Sequence, residues 1–102
     1  MAFSKNYLYD PKDQTISKFT RALGHSARLN ILFQLLMTGP CTVTDLRSMH
    51  PISQPTLSQH LEILRDVHLV TCKEKFPYTY YDLDKKNFLK LRKLLKAFLN
   101  KF

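Results

Sequence analysis

One stretch of the chain, residues 53–69, combines a helical apolar stripe with a face of short polar side chains. Leu57, Leu61 and Leu64 recur at helical spacing and are expected to be buried. The hydroxyl, amide and carboxylate groups of the opposite face belong to Gln54, Thr56, Ser58, Gln59 and Glu62. Because a glutamine amide can pair bidentately with adenine, this face has the chemistry to read DNA base edges. A solvated surface helix is the alternative interpretation.

The segment before this helix predicts how it is positioned. Ser53 is a suitable N-cap, so the helix is expected to begin directly after it. Residues 42–45 have the form of a capping box, with Asp45 in place of the usual glutamate, and they predict a short preceding helix. Two short helices joined by a turn at residues 50–52 predict a helix-turn-helix, in which the second helix enters the major groove of DNA. His60 is expected either to read a base or to position that helix.

After residue 69 the apolar period changes from that of a helix to that of strands. Residues 69–74 and 78–83 are rich in β-branched and aromatic types, and the short segment 75–77 joins them, which predicts a hairpin. A hairpin that directly follows a helix-turn-helix is a wing, which often lies along the DNA backbone. The wing residues expected to contact phosphate are Lys73, Lys75 and Tyr78.

Two further helices are predicted nearer the N-terminus. The first runs from about residue 13 to residue 23. The second runs from Ser26, a suitable N-cap, to about residue 38, where Gly39 ends it. The second helix is apolar on several sides, which is typical of a central core helix. The first ten residues are interpreted as an arm whose aromatic side chains are Phe3, Tyr7 and Tyr9.

A last helix is predicted to begin after Asp84. Its apolar residues follow one another at steps of three and four, as in a heptad seam: Phe88, Leu91, Leu95, Phe98 and Phe102. Such a seam could simply close the protein's own core. It is longer than a domain of this size needs for that purpose, so it predicts a subunit interface.

Composition limits the class of protein. A chain of 102 residues, 44% of them hydrophobic, is expected to form a single domain spanning residues 1–102. The formal net charge of +8 favours an anionic partner such as nucleic acid. The two cysteines are not closely spaced, which is typical of a reduced, intracellular protein. The chain has no apolar run long enough to cross a membrane and no signal peptide. We therefore expect a cytoplasmic protein without a membrane partner.

The positive charge is unevenly placed. Residues 84–102 hold seven basic side chains and one acid, whereas residues 53–83 hold three basic and four acidic side chains. The helix with the polar face is therefore not itself a basic patch. This distribution keeps open a second hypothesis, a winged-helix module that binds another protein through its basic last helix.

At this point the sequence resembles a family, the winged-helix transcriptional regulators of the ArsR/SmtB type. Residues 22–32 are similar to the family's opening L-x-x-x-x-R-L-x-I-L, and residues 53–61 to its recognition helix S-Q-P-T-V-S-x-H-L. Residues 63–70 resemble V-L-R-E-A-G-L-V, and residues 80–83 match the end of the family wing. The resemblance implies a mainly α-helical winged helix-turn-helix of about five helices with a small β-hairpin. It also implies a homodimeric repressor that binds double-stranded DNA at an inverted-repeat operator.

The resemblance further implies that the dimer forms through the first and last helices, in agreement with the seam. The residues expected at that interface are Ile16, Phe19, Phe88, Leu91, Leu95 and Phe98. Many family members bind metal through C-V-C-D-L in the third helix, but residues 42–46 here read T-V-T-D-L. The other common site uses Asp and His on the last helix, and residues 85–102 contain neither. No metal site and no cofactor are therefore expected.

The signal that would switch such a regulator is left open: a small molecule, thiol oxidation at Cys41 or Cys72, or none. The wing carries Phe76-Pro77 where the family commonly has Gly and Arg, which weakens its expected grip on phosphate. An enzyme is not expected, because the chain has no Gly-rich phosphate loop and no G-x-S-x-G turn. Its aspartates show no paired spacing on a shared face.

Overall fold

The structure, a computed structural model, describes residues 8–102. The predicted arm at residues 1–10 lies mostly outside the described residues. The elements in chain order are α1 Pro11–Leu23, α2 Ser26–Thr38, β1 Cys41–Thr42, α3 Val43–Ser48, α4 Gln54–Asp66, β2 Val70–Lys75, β3 Tyr78–Leu83 and α5 Lys85–Leu99. Residues 8–102 thus form five helices and a small sheet, which confirms the predicted winged helix-turn-helix class. None of these helices combines the length and apolar character that a membrane crossing requires.

The starts of α3 and α4 follow the predicted capping chemistry. The Thr42 hydroxyl accepts a hydrogen bond from the Asp45 N–H, and the Asp45 carboxylate accepts one from the Thr42 N–H at 3.0 Å. At α4, the Ser53 hydroxyl accepts from the Thr56 N–H. Each cap satisfies backbone donors that a helix leaves unpaired in its first turn. These local bonds fix where both helices of the helix-turn-helix begin.

The two N-terminal helices differ from prediction at their starts. Helix α1 begins at Pro11 because the Asp10 carboxylate accepts a hydrogen bond from the Lys12 N–H at 2.7 Å. Helix α2 has the predicted range, but its N-cap is His25, whose Nδ1 accepts from the Ala27 N–H at 3.0 Å. Ser26, the predicted cap, is the first helical residue. At the other end Gly39 has φ of +78°, a conformation that L side chains rarely adopt.

The sheet contains the predicted hairpin and one strand that was not predicted. Strands β2 and β3 pair antiparallel over six rows, from Val70 opposite Leu83 to Lys75 opposite Tyr78. The two-residue strand β1 then pairs with the other edge of β3, which gives the order β1-β3-β2. Because β1 leads directly into α3, this pairing attaches the helix-turn-helix to the base of the wing.

The core lies between the helices and the inner face of the sheet. Its fully buried large side chains are Ile31, Leu35, Leu46, Leu57, Leu61, Leu64 and Leu69. Helix α2 contributes Ile31, Leu32 and Leu35 to this core. It is less buried than the central core helix that the sequence predicts. Its residues Leu29 and Phe33 are 50% and 61% exposed, because no element within residues 8–102 covers that side.

Part of the predicted seam is used inside the protomer. Phe19 of α1 is 2% exposed and packs edge-to-face on Phe88 of α5, with ring centroids 5.9 Å apart. Leu91 is 7% exposed and belongs to the same core. Phe19 and Leu91 therefore close the protomer's own core, which corrects the expectation that they lie in a subunit interface. The physical reason is that α1 packs directly against α5.

Candidate nucleic-acid interface

The exposed face of α4 is polar and carries little charge at its N-terminal end. Gln54, Ser58 and Gln59 are exposed, and Glu62 follows on the next turn. Thr56 is half-buried, and its hydroxyl accepts a hydrogen bond from the Ser53 hydroxyl at 3.0 Å. An amide-bearing surface of this kind can donate to and accept from a base edge without first breaking ion pairs.

The opposite face of α4 anchors it rigidly. Leu57, Leu61 and Leu64 are each at most 1% exposed. The connection from α4 to β2 ends at Leu69, which is also buried. Burying three leucines of one helix contributes roughly 1.5–3 kcal/mol each to folding. The exposed polar residues are therefore held on a helix that cannot rotate without opening the core.

His60 lies on the buried side of this helix, not on its polar face. The residue is 8% exposed, and its Nδ1 lies 3.1 Å from Nη1 of Arg28, which donates the hydrogen bond. The ring also lies 4.5 Å, centroid to centroid, from the ring of His25. This burial and these contacts favour the second of the two roles expected of His60, positioning α4 against α2, over reading a base.

Arg28 connects three elements at this point. Its Nε donates to the Ala22 carbonyl at 2.6 Å, and Nη2 donates to the Arg21 carbonyl at 3.2 Å. Burial, followed by the charges of His25 and Arg28, lowers the pKa of His60 from its ordinary value of 6.5. His60 is therefore neutral near pH 7, as its role as an acceptor for Arg28 requires.

Sequence reasoning missed the roles of Arg28 and His25. Arg28 belongs to the motif at residues 22–32, and its partner His60 is 32 residues away in the chain. No local pattern predicts that contact. Serine is the commoner N-cap residue, so capping preferences favour Ser26 over His25.

The wing presents its predicted residues on one face. Lys73 is opposite Tyr80 and Lys75 is opposite Tyr78 in the hairpin, so these four side chains point to the same side of the sheet. Lys73, Lys75 and Tyr78 are exposed, and the rings of Tyr78 and Tyr80 contact each other with centroids 6.3 Å apart. Two ammonium groups beside two phenols form a surface suited to phosphate oxygens.

The two cysteines lie on either side of Tyr81. Cys41 of β1 and Cys72 of β2 are both register partners of Tyr81 in β3. They are therefore two strand spacings apart, about 10 Å, which is too far for a disulfide without backbone movement. Cys41 is buried with its Sγ 3.2 Å from the Thr38 hydroxyl. Burial, and then interaction with Cys72, raises the pKa of Tyr81.

The structure does not assemble a metal-binding cluster from the described residues. No group of three or more His, Cys, Asp or Glu side chains within residues 8–102 is arranged to hold an ion. Asp45, which matches the acidic residue of the family's C-V-C-D-L motif, is engaged in the α3 capping box.

Comparison with known proteins identifies the family. Residues 25–71 match the sequence profile described as bacterial regulatory protein, arsR family. The chain is 35% identical over 78 residues to the arsenical resistance operon repressor of Bacillus subtilis (strain 168), covering 74% of each protein. The chain belongs to the ArsR family. It is therefore a DNA-binding transcriptional regulator, and the members of this family are regulators rather than enzymes.

Two further similarities concern a transcriptional repressor and the fold. The chain is 33% identical over 64 residues to the transcriptional repressor SdpR of Bacillus subtilis (strain 168), covering 63% of this chain and 70% of SdpR. It superposes with a TM-score of 0.70 on the homodimeric winged helix-turn-helix DNA-binding domain of Mb0332 from Mycobacterium bovis. That superposition covers 99% of this chain and 92% of the other at 22% identity, and it confirms the fold.

Proposed function

We propose that this ArsR-family regulator is a homodimeric repressor that binds an inverted-repeat operator in the cytoplasm and blocks transcription by occupying the promoter. In this proposal residues 1–102 form a single domain, and one α4 from each subunit enters the major groove of each half-site, about 34 Å apart. The observation that carries the proposal is the division of α4 into a buried leucine stripe and an exposed amide and hydroxyl face. The relative SdpR is named as a transcriptional repressor, which supports the direction of regulation.

Base reading is assigned to the exposed residues of α4. Gln54, Ser58 and Gln59 contact base edges, whereas half-buried Thr56 fixes the first turn against Ser53. Lys73, Lys75 and Tyr78 contact phosphates and set the register of the wing. This division of roles makes base readout largely neutral and assigns phosphate attraction to the two lysines of the wing.

The first experiment is selection from a randomised duplex pool with purified protein, followed by sequencing. Enrichment of an inverted repeat with half-sites about one helical turn apart is the expected result. Gln59→Ala should then weaken binding to the selected duplex about tenfold and leave binding to random DNA nearly unchanged. The matched control is Asn30→Ala, which removes an exposed amide from α2. Failure to enrich any sequence, with weak binding only at low salt, would instead support the protein-binding module.

The dimer interface is assigned to the apolar surface that residues 8–102 leave uncovered. A groove of about 530 Å³ between α2 and α5 is lined largely by leucine and phenylalanine. Its most exposed members are Leu29, Phe33, Leu36 and Leu89, each at least 50% exposed. A second copy of the chain is the occupant we propose, because this groove is continuous with the α5 seam. Ile16, Phe88, Leu95 and Phe98 are half-buried, so they remain available to the same interface.

Sedimentation velocity tests this assignment. Leu89→Glu should convert the dimer to a monomer at micromolar concentration, because it places a charge in an apolar interface. Ile63→Glu is the matched control, since Ile63 is 39% exposed on α4, outside the groove. A wild-type monomer, or a dimer that survives Leu89→Glu, would contradict the assignment.

We also propose that this regulator does not respond to metal through the positions that resemble the family's metal sites. Thr42 and Thr44 stand where the third-helix motif has cysteine, and residues 85–102 contain no Asp, Glu, His or Cys. Zinc, cadmium or arsenite at micromolar concentration should therefore change operator affinity by less than about twofold, as measured by fluorescence anisotropy. A larger change that Cys41→Ser or Cys72→Ser removes would contradict this proposal and locate a metal site at a thiol.

A further inference from the structure

The tip of the wing carries the most exposed large apolar side chain of residues 8–102. Phe76 is 100% exposed, and with Pro77 it forms the two-residue turn between Lys75 and Tyr78. The hairpin behind it is paired over six rows, so the ring is held at the end of an ordered element. Phe76 contributes nothing to the core, and folding therefore does not explain a phenylalanine at this position.

The surroundings of Phe76 favour a nucleic acid as its partner. Lys73 and Lys75 lie on one face of the same hairpin, next to the contacting rings of Tyr78 and Tyr80. An anionic polymer with aromatic bases complements such a combination of ammonium groups and rings better than an apolar protein surface does.

The length of the wing and its position after α4 also allow its tip to reach a minor groove. Strand β2 begins four residues after the end of α4 and rises about 3.3 Å per residue over its six residues, so the tip lies about 20 Å from its base. The major groove is about 12 Å wide. A wing that starts beside a helix in that groove can therefore cross one phosphate backbone and reach the neighbouring minor groove.

We propose that Phe76, supported by Pro77, is an apolar wedge that enters the minor groove beside each half-site and partly unstacks one base step. This inference rests on the proposed function, because it requires a duplex bound by α4. Apolar wedges of Phe and Pro are a known means of kinking DNA from the minor groove. Pyrimidine–purine steps open most easily, so the wedge confers a sequence preference at a position that no hydrogen bond reads.

The test uses full-length protein and the selected operator carrying 2-aminopurine at successive flanking positions. Wild-type protein should raise the fluorescence at one flanking step on each side, which reports local unstacking. Phe76→Ser should abolish that rise and weaken binding about tenfold when the flank contains a pyrimidine–purine step. Phe76→Leu should restore most of both signals, because it returns an apolar wedge without the aromatic ring.

A matched variant separates the wedge from the electrostatic role of the wing. Lys75→Gln should reduce the salt dependence of binding by about two units of slope, one for each subunit of the dimer, and leave the 2-aminopurine signal in place. Phe76→Ser should leave the salt slope unchanged. Circular dichroism should show native folding for both variants, since neither side chain is buried.

The outcomes distinguish the wedge from the function on which it rests. Operator binding by Phe76→Ser with wild-type affinity, flank preference and fluorescence would overturn the wedge and leave the repressor proposal intact. Enrichment of no inverted repeat by the wild type would overturn both, since the wedge would have no bound duplex to enter. A fluorescence rise that depends on Phe76 and favours pyrimidine–purine flanks would establish the wedge.

Discussion

Replacing Arg28 with lysine tests how the recognition helix is held. Arg28 donates to the Ala22 carbonyl at 2.6 Å, to the Arg21 carbonyl at 3.2 Å and to His60 Nδ1 at 3.1 Å. Lysine keeps the charge and most of the apolar stem, but its single ammonium group cannot reproduce the planar fork that reaches these acceptors together.

The magnitude follows from the bonds that lysine loses. A hydrogen bond to a charged group contributes about 1.5–3 kcal/mol. One ammonium can retain one of the three acceptors, and the bond to the Arg21 carbonyl lies in an exposed position, where it contributes less. We therefore expect Arg28→Lys to lower the free energy of unfolding by about 2–4 kcal/mol, which corresponds to a fall in Tm of about 10–20 °C.

Thermal and urea unfolding followed by circular dichroism at pH 7.5 measure this loss. Protein concentration must be matched among variants, because the stability of a dimer depends on it. The control is Arg21→Lys, an identical change at an exposed side chain on α1, which should alter stability by less than about 0.5 kcal/mol. Equal stability of Arg28→Lys and Arg21→Lys would refute the claim that Arg28 holds α4 in place.

Three further predictions concern positions that the structure explains individually. The lowered pKa of His60 means that the unfolded chain binds its proton more readily, so stability should fall as pH drops below 6.5 and level off below the lowered pKa. His60→Gln should flatten that part of a stability profile measured by urea unfolding between pH 5 and 8. The control, His68→Asn, replaces an exposed histidine and should leave the fall in stability below pH 6.5 in place. Ser53→Ala removes the N-cap of α4 and should cost about 1 kcal/mol in the same assay, against no measurable cost for Ser26→Ala at the first position of α2. Gly39→Ala forces a β-carbon into a backbone with φ of +78° and should lower the free energy of unfolding by about 1–3 kcal/mol, and an unchanged Tm would contradict the observed α2 terminus.

The features that could be predicted from the sequence are those determined by neighbours in the chain. The capping box at Thr42 and the N-cap at Ser53 involve side chains within three residues of the backbone groups they satisfy. The leucine stripe of α4 follows from helical periodicity, and the hairpin follows from a change of period. These local rules were sufficient for the helix-turn-helix and the wing.

The features that were missed depend on contacts distant in sequence. His60 lies three residues after Leu57 and four before Leu64, so helical spacing already favours the leucine side of α4. Its bond to Arg28, 32 residues away, is the part that no local pattern predicts. Strand β1 has two residues, and it forms only because β3 supplies an edge 38 to 40 residues later. Apolar periodicity also cannot tell whether a side chain packs within a protomer, as Leu91 does, or stays exposed, as Phe33 does.

The stretch that resembles the family's metal-binding motif has a structural role at the start of α3. In the stretch T-V-T-D-L, which resembles the family's C-V-C-D-L, Thr42 and Asp45 bond reciprocally to each other's backbone N–H groups. A thiol at residue 42 would cap α3 less well than the hydroxyl, at a cost of about 1 kcal/mol. The hydroxyl thus strengthens the start of α3, and α3 packs on α4. We infer that Thr42 and Asp45 act as structural supports of α4, because they fix the start of the helix that packs on it.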